Sequence, residues 1–236
     1  TGFEHNEIFN SLYGTLTRRF GRFGAQLGVR AERADTRFEL PNGDSFENDY
    51  ASVFPSGNIS YELDEGKQVR LSYSRRIRRP RPGILNPINE STDPLNRYIG
   101  NPYIEPQYTN SFSLDMSLTE TWGTVRLSPY YRTTENDWAQ IKTVDDEGVS
   151  TVTWENLAPQ QTMGASLTAS LRPIHGWGGF ASISGNHEKR DASNLADTYS
   201  GSSTRWSARF NISGNITPLL SAQMMVAYTT AGDVPR

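Results

Sequence analysis

Cysteine is absent from all 236 residues, which excludes a disulfide framework and any thiolate metal site. Long apolar runs are missing too. No stretch approaches the roughly 20 consecutive apolar residues that a membrane-spanning helix needs, and the mean hydropathy is -0.62. Neither charge sign dominates: 23 Lys and Arg against 26 Asp and Glu leave a net charge of -3, so no global field draws in nucleic acid, and none is expected as a partner. His5, His175 and His187 are scattered without metal-ligand spacing, and no enzymatic motif is present, so neither catalysis nor a bound cofactor or metal is expected. Thr1-Gly2-Phe3 lacks the basic start and apolar run of a signal peptide. Either a leader has been removed or the chain begins inside a longer protein.

What the chain does have is alternation. Phe112, Leu114, Met116 and Leu118 interleave with Ser111, Ser113, Asp115 and Ser117; Ala165, Leu167, Ala169 and Leu171 alternate with Ser166, Thr168 and Ser170; Trp206, Ala208, Phe210 and Ile212 alternate with Arg205, Ser207, Arg209 and Asn211. A period of two gives each segment one wet and one dry face. The pattern predicts about ten strands, over 7-19, 24-36, 52-63, 68-77, 107-119, 124-136, 160-172, 178-188, 204-215 and 219-230. Each reaches the roughly 9 to 11 residues that a tilted barrel strand needs to cross a bilayer.

The connections alternate as well. Tight turns fall at Phe20-Gly21-Arg22-Phe23, Asp64-Glu65-Gly66-Lys67, Glu120-Thr121-Trp122-Gly123, Pro173 to Gly178 and Ile216-Thr217-Pro218-Leu219. Long polar connections are expected around Ala34 to Asp49, Arg78 to Pro106, Thr133 to Pro159 and His187 to Ser203. Short turns at one end and long loops at the other describe an antiparallel transmembrane β-barrel rather than a soluble sandwich. Low hydropathy does not contradict this, because only every second residue of a barrel strand meets lipid. Phe20, Phe23, Trp122 and Trp177 lie near the short turns, where interfacial aromatic girdles would sit. Arg30, Glu32, Arg70, Arg76, Asp115, Arg205 and Arg209 fall on the polar phase of their strands and are the lumen-facing candidates.

Residues 78 to 106 concentrate proline and glycine: Pro80, Pro82, Gly83, Pro87, Pro94, Gly100, Pro102 and Pro106. So many missing amide donors argue against a regular strand or helix there, and an ordered loop of this length is usually functional. Arg75, Arg76, Arg78, Arg79 and Arg81 lead into it and read as cations at a barrel mouth paired with acidic groups. Asp145, Asp146 and Glu147 beside Gly148 lack calcium-loop spacing and read as a solvated turn. The Asn-x-Ser/Thr matches at Asn58, Asn89, Asn211 and Asn215 carry no weight.

This same loop carries a resemblance. Tyr73-Ser74-Arg75, Arg79-Pro80, Leu85-Asn86-Pro87, Asp93-Pro94-Leu95-Asn96 and Gly100-Asn101-Pro102-Tyr103-Ile104-Glu105-Pro106 occur in that order, and the series resembles the barrel of TonB-dependent receptors of the Bacteroidetes-type outer-membrane β-barrel family. Phe54-Pro55-Ser56, residues 27-32 and Trp154-Glu155-Asn156-Leu157 extend the similarity, while Gln107 departs from it, standing where an acidic residue is frequent. The resemblance implies that residues 1-236 are a single partial barrel domain in the bacterial outer membrane, one wall of a closed 22-stranded transporter. It also implies a plug and a TonB-contacting segment outside this chain, and energised uptake of a scarce nutrient such as a siderophore, glycan, peptide or cobalamin-like molecule. The implied partners are outer-membrane lipid, the TonB complex and that nutrient, with the loops around Asn86 to Tyr103 and Asp137 to Trp154 meeting it first. A non-transporting outer-membrane scaffold and a soluble secreted all-β binding module are the alternatives.

Overall fold

The computed structural model describes residues 4-40, 43-89, 91-174, 176-191 and 200-230. Ten long strands form one antiparallel sheet: β1 (Glu4–Phe20), β2 (Phe23–Glu39), β3 (Ser45–Asp64), β4 (Lys67–Arg78), β6 (Gln107–Glu120), β7 (Gly123–Glu135), β10 (Gln160–Ile174), β11 (Trp177–Arg190), β12 (Gly201–Thr217) and β13 (Leu220–Thr229). Three short strands, β5 (Asn96–Tyr98), β8 (Trp138–Val144) and β9 (Ser150–Asn156), make a second sheet in the order β5-β9-β8, and α1 (Pro82–Leu85) is one helical turn. Every long strand pairs with the long strands next to it in sequence, and among the described residues β1 and β13 have one partner each, so the sheet is not closed.

Register makes the two faces continuous. On one face Ile59 lies opposite Leu71 and Leu71 opposite Leu114; further along, Leu127, Leu167, Ile183, Ala208 and Tyr228 succeed one another across five strands. On the other, Asn58 faces Ser72 and Ser72 faces Ser113, while Ser128, Ser166, Ser184 and Ser207 form a hydroxyl row. A one-residue slip would exchange the faces completely, so the apolar phase fixes the register. The dry face stays exposed: Leu12, Leu16, Leu27, Ile59, Leu71, Ile183 and Met224 are all more than half accessible. An apolar patch this large has lipid as its natural solvent.

The short turns are built by the residues that allow them. Gly21 (φ 57°) and Gly66 (φ 73°) take the left-handed region at two of them, which glycine enters without steric cost. A Cβ on Gly66 would also strike the Thr119 carbonyl of the neighbouring hairpin.

Two expected loops are shorter than the sequence suggested. Residues 34-49 are mostly strand, since β2 runs to Glu39 and β3 starts at Ser45. The polarity there belongs to a ladder of ion pairs, Arg33 with Asp35 (3.0 Å) and Arg37 with Glu39 (3.0 Å) and Glu47 (3.6 Å), on the phase that is apolar nearer the short turns. Beyond lipid that phase meets water, while the opposite phase buries Ala34, Thr36 and Phe38, so the alternation inverts while the strand continues. Likewise β11 reaches Arg190 and β12 starts at Gly201, leaving a connection whose residues 192-199 lie outside the described residues, as does His175 in the Pro173 to Gly178 turn.

The exclusion of regular structure from residues 78-106 is also corrected. Pro82 opens α1 at a position where no amide donor is required, and β5 occupies a stretch free of proline. The supposedly polar connection 133-159 holds β8 and β9, with Trp138 and Ile141 buried.

Candidate functional site

The buried residues gather at the long-loop end of the sheet. Phe38, Leu85, Ile104 and Trp138 form the core, with Phe46, Ile84 and Trp154 against it, and Ile104 is fully enclosed. Phe38 and Phe46 are cross-strand partners on β2 and β3, on the same phase as Arg30 and Glu32. Residues 80-106 therefore fold over the polar face at its outer end.

Most of the motif residues brace this loop. Arg79 donates to Glu32 (2.6 Å) and Tyr50 (2.5 Å) and lies over the Phe9 ring (4.4 Å to the centroid), tying the loop's first residue to the neighbouring strands. Pro80, Leu85, Pro102 and Pro106 surround a void of about 20 Å³ with Phe38 and Tyr50. The Asn86 amide caps α1 by donating to the Pro82 carbonyl (3.0 Å), and its side-chain oxygen accepts from Ile88 N–H (3.0 Å), carrying the chain through Pro87. Asp93 accepts from Leu95 N–H (2.9 Å) and Asn96 Nδ2 (2.7 Å) across Pro94, and the Asn96 amide, then the Leu95 N–H, hold its carboxyl below the usual range. Gly100 N–H donates to the Asn86 carbonyl (2.7 Å) and Asn101 N–H to that of Ile84 (2.8 Å). Asn101 also accepts from Tyr103 N–H and donates to the Trp154 carbonyl, both at 3.0 Å.

That last bond joins the two long loops. Ser150 N–H donating to Leu95 O (2.8 Å), Ile99 N–H to Val152 O (3.1 Å) and Glu105 N–H to Asn156 Oδ1 (2.9 Å) complete the seam, and β5 pairs in parallel with β9. The Asp145 group forms a turn, its carboxylate accepting from Glu147 N–H and Val149 N–H. Among the described residues no cluster of His, Cys, Asp or Glu has the makings of a metal site.

Gln107, the departure from the motif, is buried and donates to Asp137 Oδ1 (2.7 Å). Asp137 Oδ2 lies 3.6 Å from Arg190 Nε, too far for a hydrogen bond, and both atoms are buried without a hydrogen-bond partner among the described residues. Burial pushes the Asp137 carboxyl above its usual range against the pull of Arg190. An amide at 107 thus satisfies one oxygen of a carboxylate that a second acid would repel.

Register puts Arg30, Glu32, Arg70, Arg76, Asp115, Arg205 and Arg209 on a single face, opposite to that of Leu27, Leu71, Leu114 and Phe210. Arg30 pairs with Glu32 (3.2 Å), Arg70 stands opposite Asp115, and Asp115 accepts from Ser128 (2.6 Å). Arg76 and Arg132 border a polar cavity of about 450 Å³ with Ser56, Ser74 and Ser111. Arg205 and Arg209 lie opposite Asn186 and Ser182, away from the loop core. Of the entering arginines, Arg75 pairs with Glu135 (3.3 Å) and Arg78 lies over Trp138 (5.2 Å). The β5-β9-β8 sheet, which positions residues of both long loops, was not foreseen; Trp138, Ile141 and Trp154 in a stretch classed as polar were its signal in the sequence.

The profile of the outer membrane protein beta-barrel family matches residues 1–234. No curated protein sequence matches the chain. Among solved structures it is similar to the copper transporter OprC (15% identity, TM-score 0.61, covering 88% of this chain and 34% of that one). It is similar also to the Serratia marcescens hemophore receptor HasR, solved with its hemophore HasA and heme (10%, 0.64, 91% and 47%). A third is FyuA from Yersinia pestis, a ferric yersiniabactin uptake receptor (13%, 0.55, 96% and 38%). At such identities the likeness is one of fold, and the chain spans about a third to a half of those proteins.

Proposed function

Because this chain belongs to the outer membrane protein beta-barrel family, and so to the bacterial outer membrane, we propose that it is part of the wall and outer rim of a TonB-dependent nutrient receptor. The observation that carries this reading is the joined loop assembly at one end of the sheet. Two long connections are stitched by backbone hydrogen bonds and a shared core into an ordered platform over the polar face, and ordering them has a conformational cost that a mere tether would not repay. On this reading the platform receives the nutrient, the polar face encloses the path inward, and a plug outside this chain couples release to TonB and the inner-membrane proton gradient. The likeness to OprC, HasR and FyuA supports a receptor barrel.

The test is growth of a strain lacking the intact gene on haem, a ferric siderophore, cobalamin or a neutral oligosaccharide as the limiting nutrient. Growth should fail on one class, return with the gene, and be lost again when the proton gradient is collapsed. Equal growth on every class, with no capture of the TonB periplasmic domain by the purified receptor, would establish a non-transporting scaffold instead.

A further inference from the structure

Between residues 83-88 and one face of the β5-β9-β8 sheet lies an open cavity of about 490 Å³, within the roughly 300 to 1,000 Å³ usual for small-molecule sites. Register accounts for its wall. Gln140 lies opposite Trp154, and Tyr98 beside Val152, so these four side chains share a face of the small sheet, with Ile84 and Asn86 bordering the other side.

The hydrogen-bonding capacity of this cavity is divided in a telling way. Its backbone is engaged: Gly100 N–H with Asn86 O, Ile99 N–H with Val152 O, and Asn101 N–H with Ile84 O. The Tyr98 hydroxyl, the Gln140 amide and the Trp154 indole N–H make no hydrogen bond among the described residues. No described residue lining the cavity is charged, and Lys142, opposite Val152 in register, is outside the lining. The cavity beside Arg76 and Arg132 on the polar face has the opposite character.

Against described lining residues that carry no charge, an anionic metal chelate sets free little energy, because its hydration is given up without a countercharge. A pyranose suits this cavity. It has flat C–H faces for an aromatic ring and apolar walls, and a rim of hydroxyls for an amide fork and a phenol. We propose that this cavity is the receiving site for a neutral saccharide, which makes a short neutral oligosaccharide the nutrient class. The inference rests on the receptor reading above.

Its test uses the full-length receptor in lauryldimethylamine oxide, a detergent without a sugar headgroup. It is titrated calorimetrically with maltotetraose, cellotetraose, mannotetraose and xylotetraose, and with ferric enterobactin as the anionic probe. At least one tetraose should bind, and Gln140→Ala and Tyr98→Ala should each weaken it about tenfold, the scale of one lost hydrogen bond or stacking contact. Both substituted side chains are exposed, and unchanged heat-modifiable mobility on gels verifies the fold. If no tetraose binds, or both variants bind it as the wild type does, the inference falls. An energised-uptake arm separates the two readings. Import of ferric enterobactin without tetraose binding overturns the saccharide and keeps the receptor, whereas tetraose binding at this cavity with no import of any probe keeps the site and overturns the receptor.

Discussion

Gly100 sits where the 78-106 connection turns back onto its own helical turn. A Cβ there would meet the carbonyl oxygens of Ile84 and Asn86, both at 2.5 Å, and the Asn86 nitrogen at 2.7 Å. All three are backbone atoms that cannot swing aside, so Gly100→Ala should cost about 1 to 3 kcal/mol of local stability, as overpacking generally does. The expected result is faster proteolysis within residues 82-104 with unchanged heat-modifiable mobility, since no strand of the large sheet depends on that contact. Asp137 offers a pH test. Its folded pKa stands above the ordinary carboxylate value, so the folded state binds its proton more tightly than the unfolded chain does. Stability from this site is therefore full below the ordinary value near 4 and falls as pH rises through the raised one. Urea titrations in detergent should show wild type losing ground to Asp137→Asn over that window, and parallel pH profiles would refute the assignment. In the sequence the motif residues stood out through their order. Their bracing contacts did not, because a hydrogen bond from Asn101 to Trp154 joins positions that only the fold brings together.

At the level of strands, two tryptophans lie against glycines on the apolar face. Trp177 is opposite Gly214 and Trp206 opposite Gly185, and a Cβ on either glycine would collide with the facing indole. The ring covers backbone that its partner leaves bare, an aromatic rescue of glycine. Trp206 is eight residues along β11 from Trp177 in this register, roughly 27 Å of strand at about 3.4 Å per residue, or some 20 Å upright after a barrel strand's usual tilt of about 40°. That approaches the apolar band of about 25 Å expected between two girdles. In brominated-lipid vesicles, single-tryptophan receptors retaining Trp177 or Trp206 should both be quenched best by bromine near the headgroups. Stronger quenching from mid-chain bromine for either would misplace the band. Strand identity was legible wherever one side of the sheet meets lipid. It faded in residues 34-49, where the lipid phase gives way to exposed ion pairs and the opposite phase buries Ala34 and Phe38, and in β8 and β9, which bury Trp138 and Ile141 against a loop and not against a bilayer.

For the molecule as a whole, fold class was the most legible property, because period two and the alternation of short and long connections extend over the entire chain. The cap over the polar face was the least legible, since its core draws on Phe38, Leu85, Ile104 and Trp138 from four separate stretches. Pairing among the long strands is strictly between sequence neighbours, and this has an evolutionary consequence. Among the described residues no long strand's ladder depends on a distant segment, so a gene can gain one up-and-down unit and leave the other registers of the large sheet as they were. Duplication of a hairpin such as β10 and β11 would then widen the wall by two strands, and lineages could change circumference in even increments while inheriting the loop platform.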